Sequence, residues 1–470
     1  MAIRKSVEEI NEKIRRGEAV VVTAEEVAEM AKDLSPKEIA ERVDVVTTGT
    51  FGPMCSSGAF MNFGHATPKI RMERIILNGV EVHAGLAAVD AYIGATQVSA
   101  EDPSYGGAHV IEAFIKGEDI LLVASGKGTD CYPRKFIRTF INKETVNEAY
   151  LFNPRNAYQN YVVAVNTSDR VIYTYMGKLL PNLGNATYAT SGELSPLIND
   201  PELRTIGIGT RIFLGGTEGY VVWQGTQFNR SVEKNERGIP IEGAATLAVI
   251  GDLKKMSTEY IRAAYFTNYG VTLFVGIGIP IPILDEDLAY RVSVRNEEID
   301  VVIRDYGRVE RPILGKTNFA ELLSGEITIQ GKRVKVSPIT SLSTSRKIAQ
   351  ELKRWIKEGR FPLSAPVATF PEDAIFKPLK VREKPRGVYK PAGVAKDVDD
   401  TKLVRVNGLN FNLEDCMSCG ICTGICDTGA FSFNRNRKVV FNPEKCNGCG
   451  ICMDACPMGV IFEAAEEKTA

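Results

Sequence analysis

A mixed-sheet α/β domain followed by a small cysteine-rich α+β module is the architecture this 470-residue chain predicts, on three observations. Short β-branched runs alternate with helical periods over about the first 360 residues. Prolines then fall at positions 362, 366, 371, 378, 385 and 391 without a sustained apolar period. Eight of the ten cysteines lie beyond that stretch. The expected divisions are a catalytic domain over 1–360, a Pro-rich basic linker over 361–400 and the cysteine module over 401–470.

The elements follow in order. Val7, Ile10 and Ile14 share one face of a first helix. Ala19–Thr23 reads as a strand, and Thr23 caps the next helix with Glu26 at the capping-box position. Ser35 is an N-cap and Pro36 the first-turn residue of a third helix. Val43–Thr48 reads as a buried strand running into a Gly-rich segment. Further strands are expected at Ile120–Ala124, Tyr161–Val165, Val171–Tyr175, Ile206–Leu214, Tyr220–Trp223, Val271–Ile277 and Val301–Ile303. Helices are expected at Glu259–Phe266 and Ser343–Glu358. The linker carries seven Lys/Arg against one Glu between Phe376 and Lys396 and reads as a semi-rigid tether or a docking strap.

The C-terminal cysteines form two runs, Cys416, Cys419, Cys422, Cys426 and Cys446, Cys449, Cys452, Cys456, each spaced C-x2-C-x2-C-x3-C. That is the spacing with which bacterial-type ferredoxins hold two 4Fe–4S cubes, the fourth thiolate of each run ligating the other cube. Cluster one is therefore assigned to Cys416, Cys419, Cys422 and Cys456, and cluster two to Cys446, Cys449, Cys452 and Cys426. Disulfides would need a secreted chain, and structural zinc uses paired rather than fourfold runs. The N-terminus lacks the apolar core of a signal peptide, and no run approaches a membrane span of about 18–20 apolar residues. A cytoplasmic protein is expected. A net charge of −1 argues against a nucleic-acid or anionic-membrane partner.

Two cysteines remain. Cys55 lies in Thr48-Gly-Thr-Phe-Gly52-Pro-Met-Cys55-Ser56-Ser57-Gly, beyond the end of a strand, where α/β sheets gather ligands. Gly52, Ser56 and Ser57 are small enough to let backbone N–H groups approach an anion. Cys131 likewise follows a strand, in Gly126-Lys127-Gly-Thr-Asp130-Cys131-Tyr-Pro-Arg134-Lys135. Its basic neighbours favour the thiolate, and Asp130 opposes them. Each could instead be a small buried hydrophobe. All three histidines lie within 55 residues of Cys55, and His65 is the first choice for proton transfer, with His109 second. Neither G-x-x-x-x-G-K-[ST] nor G-x-G-x-x-G occurs, which counts against a phosphate loop or a dinucleotide enzyme.

Thr47–Gly64, the Gly126–Cys131 segment and the fused ferredoxin-type module together resemble the methanogen aldehyde sulfurtransferases, first described as a "homocysteine biosynthesis" family. The resemblance implies conversion of an aldehyde to a thiol with sulfide and two electrons, and catalytic roles for Cys55 and Cys131. It leaves open which thiol carries sulfur. Its implied partners are a small anionic aldehyde, a sulfide or persulfide donor and a low-potential electron-donor protein, and a homo-oligomer is compatible with it. The homocysteine branch, acting on aspartate semialdehyde, carries regulatory CBS domains and uses a separate ferredoxin-like partner. The fused module here therefore points to the other branch, which makes coenzyme M from sulfoacetaldehyde. Lys127, Arg134 and Arg138 are the candidate receptors for a sulfonate. An electron-transfer scaffold without enzyme activity is the rival class.

Overall fold

The structure is a computed structural model that describes residues 3–381 and 403–463. The chain divides into two compact units, Met1–Lys377 and Pro378–Ala470. Most of the basic stretch read as a linker, residues 382–402, lies outside the described residues.

The first helices form where their caps dictate. Ser6, Thr23 and Ser35 each accept from the backbone N–H three residues on, and Glu9, Glu26 and Glu38 reach back to the cap amides. Behind them Val21–Thr23, Val45–Thr47 and Pro280–Pro282 make a three-stranded sheet. Asp44 is buried there, 3.0 Å from Lys5 and 2.7 Å from Lys13. It also accepts from the Val20 amide, so the buried charge is paired and hydrogen-bonded.

The large unit is built on a nine-stranded antiparallel sheet. From one edge it runs Ile261–Phe266, Gly270–Gly278, Arg211–Leu214, Thr217–Gln224, Leu247–Asp252, Glu148–Asn156, Gly58–Asn62 and Asp90–Gly94, with Thr50–Pro53 pairing on Gly270–Gly278. The helix Leu342–Lys357 packs Ile348, Leu352 and Ile356 on it. A Cβ on Gly49 would sit 2.3 Å from the Ser345 carbonyl oxygen, so only glycine lets this helix approach. A mixed six-stranded sheet contains Val163–Val165, Ala186–Tyr188, Asp300–Asp305, Ile313–Asn318, Glu326–Ile329 and Lys332–Pro338, over a core of its own. A four-stranded antiparallel sheet joins Val80–Val82, Arg74–Leu77, Ile120–Ser125 and Phe136–Ile141.

Three readings of the sequence change. Glu259–Phe266 is not a helix: Ile261–Phe266 is an edge strand paired residue for residue with Gly270–Gly278. Its apolar spacing suits either state, and the partner strand decides. Ile206–Leu214 is strand only over Arg211–Leu214, because Gly209 turns at φ +88° before it. The chain also stays packed beyond residue 360, where Phe361, Leu363 and Phe370 are buried and Ala368 bridges Ile208.

The C-terminal unit shows the doubled cysteine pattern as a doubled fold. Gly420 and Gly450, at φ +82° and +75°, open the short helices Ile421–Ile425 and Ile451–Ala455. Phe411, Phe431 and Phe441 stack between the halves, with ring centroids 4.1–5.8 Å apart. No helix among the described residues is long and apolar enough to cross a membrane.

Candidate functional site

Cys55 sits at a corner between two strands. Thr50–Pro53 adds to Gly270–Gly278, the chain turns at Cys55-Ser56, and Gly58–Asn62 leaves between Glu148–Asn156 and Asp90–Gly94. The corner is fixed by the buried Asn153. Its carboxamide oxygen accepts from Ser56 Oγ at 2.9 Å and from the Arg155 amide at 2.8 Å, and its nitrogen donates to Ser57 Oγ at 2.8 Å. Ser57 is thus a structural tie, whereas Gly52 and Ser56 line the space in front of the thiol. A Cβ on Gly52 would meet Thr340 Oγ1 at 2.9 Å.

That space is a cavity of about 430 Å³ walled by Cys55, by Arg155 and Arg311, and by Tyr158, Tyr161, Tyr175 and Tyr269. Among the described residues no Asp or Glu lines it. Cys55 and Arg155 lie near Tyr158 and Tyr269, and the Tyr269 ring is 6.3 Å from that of Tyr175. Arg311 donates to the Tyr175 hydroxyl at 3.0 Å, and its guanidinium lies 4.4 Å from the centroid of the Tyr306 ring. Tyr175 also accepts from Tyr161 at 3.1 Å and is 2.9 Å from the Tyr306 hydroxyl. Burial pushes Tyr158 up to about 12 and holds Tyr161 and Tyr306 far above the ordinary phenol range, so these hydroxyls stay protonated. Thr190 and Thr272 also line it, with their hydroxyl oxygens turned into the protein and without a hydrogen-bond partner among the described residues.

The structure places the other expected residues elsewhere. Cys131 is exposed on the loop after Ile120–Ser125 and does not line the cavity. His65 is exposed and stacks on Tyr132, ring centroids 6.0 Å apart, so it belongs beside the Cys131 loop. Arg134 donates to the Thr67 and Pro68 carbonyls and locks that loop. Lys127 and Arg138 lie outside the cavity lining. His109 accepts from the Gly106 amide at the start of its own helix. The cationic and phenolic groups of the cavity were missed because they come from segments far apart in the chain, and no local pattern marks them.

In the C-terminal unit the thiols ring two cavities. Cys416, Cys419, Cys422 and Cys456 line one; Cys426, Cys446, Cys449 and Cys452 line the other. The fourth cysteine of each run thus crosses to the partner run. No three metal-ligating side chains among the described residues converge on a single-ion site. Four thiols about a cavity suit a cube, whose irons are spread over its corners.

A thiol-bearing cavity on one unit and paired fourfold thiol sites on the other define an iron–sulfur protein with sulfur chemistry. Comparison with known proteins agrees. The model of the homocysteine biosynthesis enzyme family (sulfur-incorporation) matches residues 19–363, and that of the 4Fe–4S dicluster domain matches residues 392–461. The chain belongs to the homocysteine biosynthesis enzyme family and carries a module for two 4Fe–4S clusters. It is 49% identical over 381 residues to the L-aspartate semialdehyde sulfurtransferase of Methanosarcina acetivorans, covering 80% of this chain and 74% of the relative. It is 51% identical over 397 residues to the protein of the same name from Methanocaldococcus jannaschii, covering 80% and 75%. An uncharacterized protein of Methanothermobacter thermautotrophicus is 28% identical over 334 residues, 69% and 73% of the two chains. These relatives favour the aspartate semialdehyde reading over the sulfoacetaldehyde reading drawn from the fused module.

Proposed function

We propose that this chain is a sulfurtransferase that turns the aldehyde of L-aspartate semialdehyde into the thiol of homocysteine. Overall, one aldehyde, one hydrogen sulfide, two electrons and two protons give one thiol and one water. The observation that carries the reading is Cys55 opening onto a cavity that holds two guanidiniums and, among the described residues, no carboxylate. The half-identical relatives named for this substrate support it.

Cys55 is the thiol that meets the aldehyde. Arg155, in the same wall, is placed to meet the negative charge that develops on the carbonyl oxygen as sulfur adds. Tyr158, whose phenol stays neutral, is placed to donate a hydrogen bond to the oxygen that leaves as water. Sulfide needs no loading on a thiol; from a persulfide donor, the exposed Cys131 is the thiol that takes the outer sulfur as the donor's own thiol leaves, and that route draws two further electrons. Cys416, Cys419, Cys422 and Cys456 would hold one cluster and Cys426, Cys446, Cys449 and Cys452 the other. When bound, the clusters supply single electrons at low potential, drawn from an electron-donor protein.

The test is direct competition. Anaerobic protein with sulfide and a low-potential reductant should form thiol faster from L-aspartate semialdehyde than from sulfoacetaldehyde. The reverse preference would return the assignment to the coenzyme M branch. No thiol from either aldehyde, with both clusters present, would support an electron-transfer scaffold.

A further inference from the structure

Among the described residues the cavity wall carries two cations, Arg155 and Arg311, and no carboxylate to receive an amine. Arg311 has its backbone held in the left-handed region at φ +46°, its amide donates to the Arg308 carbonyl, and its own carbonyl accepts from Arg304 at 3.0 Å. Its guanidinium is aimed by the Tyr175 hydroxyl and the Tyr306 ring. Tyr175 and Tyr306 are the side chains set against it. A guanidinium presents five donors in a planar fork, and one bond to Tyr175 leaves most of them free.

We propose that Arg311, steadied by Tyr175, receives the acidic tail of the substrate, and that the site is blind to the amino group beside it. This rests on the aldehyde sulfurtransferase reading and extends it to a substrate class, short aldehydes that end in a carboxylate. The physical reason for the blindness is an absence of penalty. A site rejects an analogue strongly when losing a substrate group strands a buried polar partner. Among the described residues no Asp or Glu lines the cavity, so removing the ammonium strands no charge. What faces the ammonium is the π-surface and hydroxyls of the tyrosine walls, which tolerate its loss. Removing the carboxylate, by contrast, forfeits a charge-assisted pair with a guanidinium. The buried phenols stay neutral, so Arg155 and Arg311 carry the full charges of the wall.

The test uses the full-length protein with clusters in place and three aldehydes: L-aspartate semialdehyde, succinate semialdehyde and propanal. The first two should be turned over with kcat/KM within about tenfold of each other, both well above propanal. Arg311→Leu should lower the ratio of acid aldehyde to propanal by about 10- to 150-fold, through KM more than kcat, and Arg311→Lys should restore part of it. Calorimetry with succinate, which cannot react, supplies a readout independent of turnover: binding to the wild type and its loss in Arg311→Leu support the receptor even if L-aspartate semialdehyde proves not to be a substrate. Succinate semialdehyde more than about 100-fold poorer than L-aspartate semialdehyde would overturn the amine-blind site. Equal losses on all three aldehydes, or unchanged succinate binding in Arg311→Leu, would overturn the receptor.

Discussion

Asn153 accepts a 2.9 Å hydrogen bond from Ser56, and through it the central sheet sets the position of the thiol next door. The same buried carboxamide holds Ser57 and the Arg155 amide, so the corner that presents Cys55 and the strand that presents Arg155 share one anchor.

Asn153→Ala should therefore do more than loosen the fold. Leaving Ser56, Ser57 and the Arg155 amide without this partner should cost about 1–3 kcal/mol in denaturant unfolding. Thiol formation should fall further than stability alone explains, since Cys55 and Arg155 lose their common support. A variant of unchanged activity would show that the anchor is structural only.

The two thiols outside the cluster sites differ in exposure, Cys131 being exposed and Cys55 half-buried in its cavity. Limited alkylation of the folded protein, read by mass spectrometry, should label Cys131 first. Succinate should slow labelling of Cys55 and leave Cys131 unaffected. Protection of both would mean that the Cys131 loop reaches the occupied cavity.

Much of the C-terminal unit was legible because its chemistry is local: four thiols at this close spacing declare a cluster whatever surrounds them, and the crossover of Cys426 and Cys456 follows from the doubling. The caps at Thr23 and Ser35 were legible for the same reason. The substrate cavity was not. Arg155, Tyr175, Tyr269 and Arg311 meet only because the nine-stranded and six-stranded sheets bring their segments together, and no spacing in the chain records that. Lys127, Arg134 and Arg138, the cations expected to receive a sulfonate, lie outside the cavity lining, and Arg134 is committed to the Thr67 and Pro68 carbonyls. The fused module was a poor guide to substrate, because carrying electrons and reading the aldehyde are separate tasks set by separate residues.

The crossover makes its own prediction. Reconstituted wild type should carry about eight iron, and Cys426→Ser should lose the cluster of the second run while keeping that of the first, leaving about four. Iron analysis with electron paramagnetic resonance distinguishes the two sites. Loss of the first-run cluster instead would mean that each run ligates its own cube.

Glu193 gives a signature in pH. It lies in the turn leading to Ser195 and Pro196 of the cavity wall, and burial, reinforced by the neighbouring Glu25, pushes its carboxyl up to about 7. The folded state therefore binds this proton more tightly than the unfolded chain, whose value is 4.5. The stability it contributes is complete below the unfolded value and is lost as pH rises through about 7. Glu193→Gln should flatten the fall in unfolding midpoint across that window. An unchanged slope would assign it to other groups.

The most direct test of the account is anaerobic formation of homocysteine from L-aspartate semialdehyde, sulfide and a low-potential reductant by the full-length protein and its Cys55→Ala variant, with iron content measured on both. The account predicts homocysteine from the wild type and none above background from Cys55→Ala at equal iron content. Homocysteine formed at the wild-type rate by Cys55→Ala would contradict it.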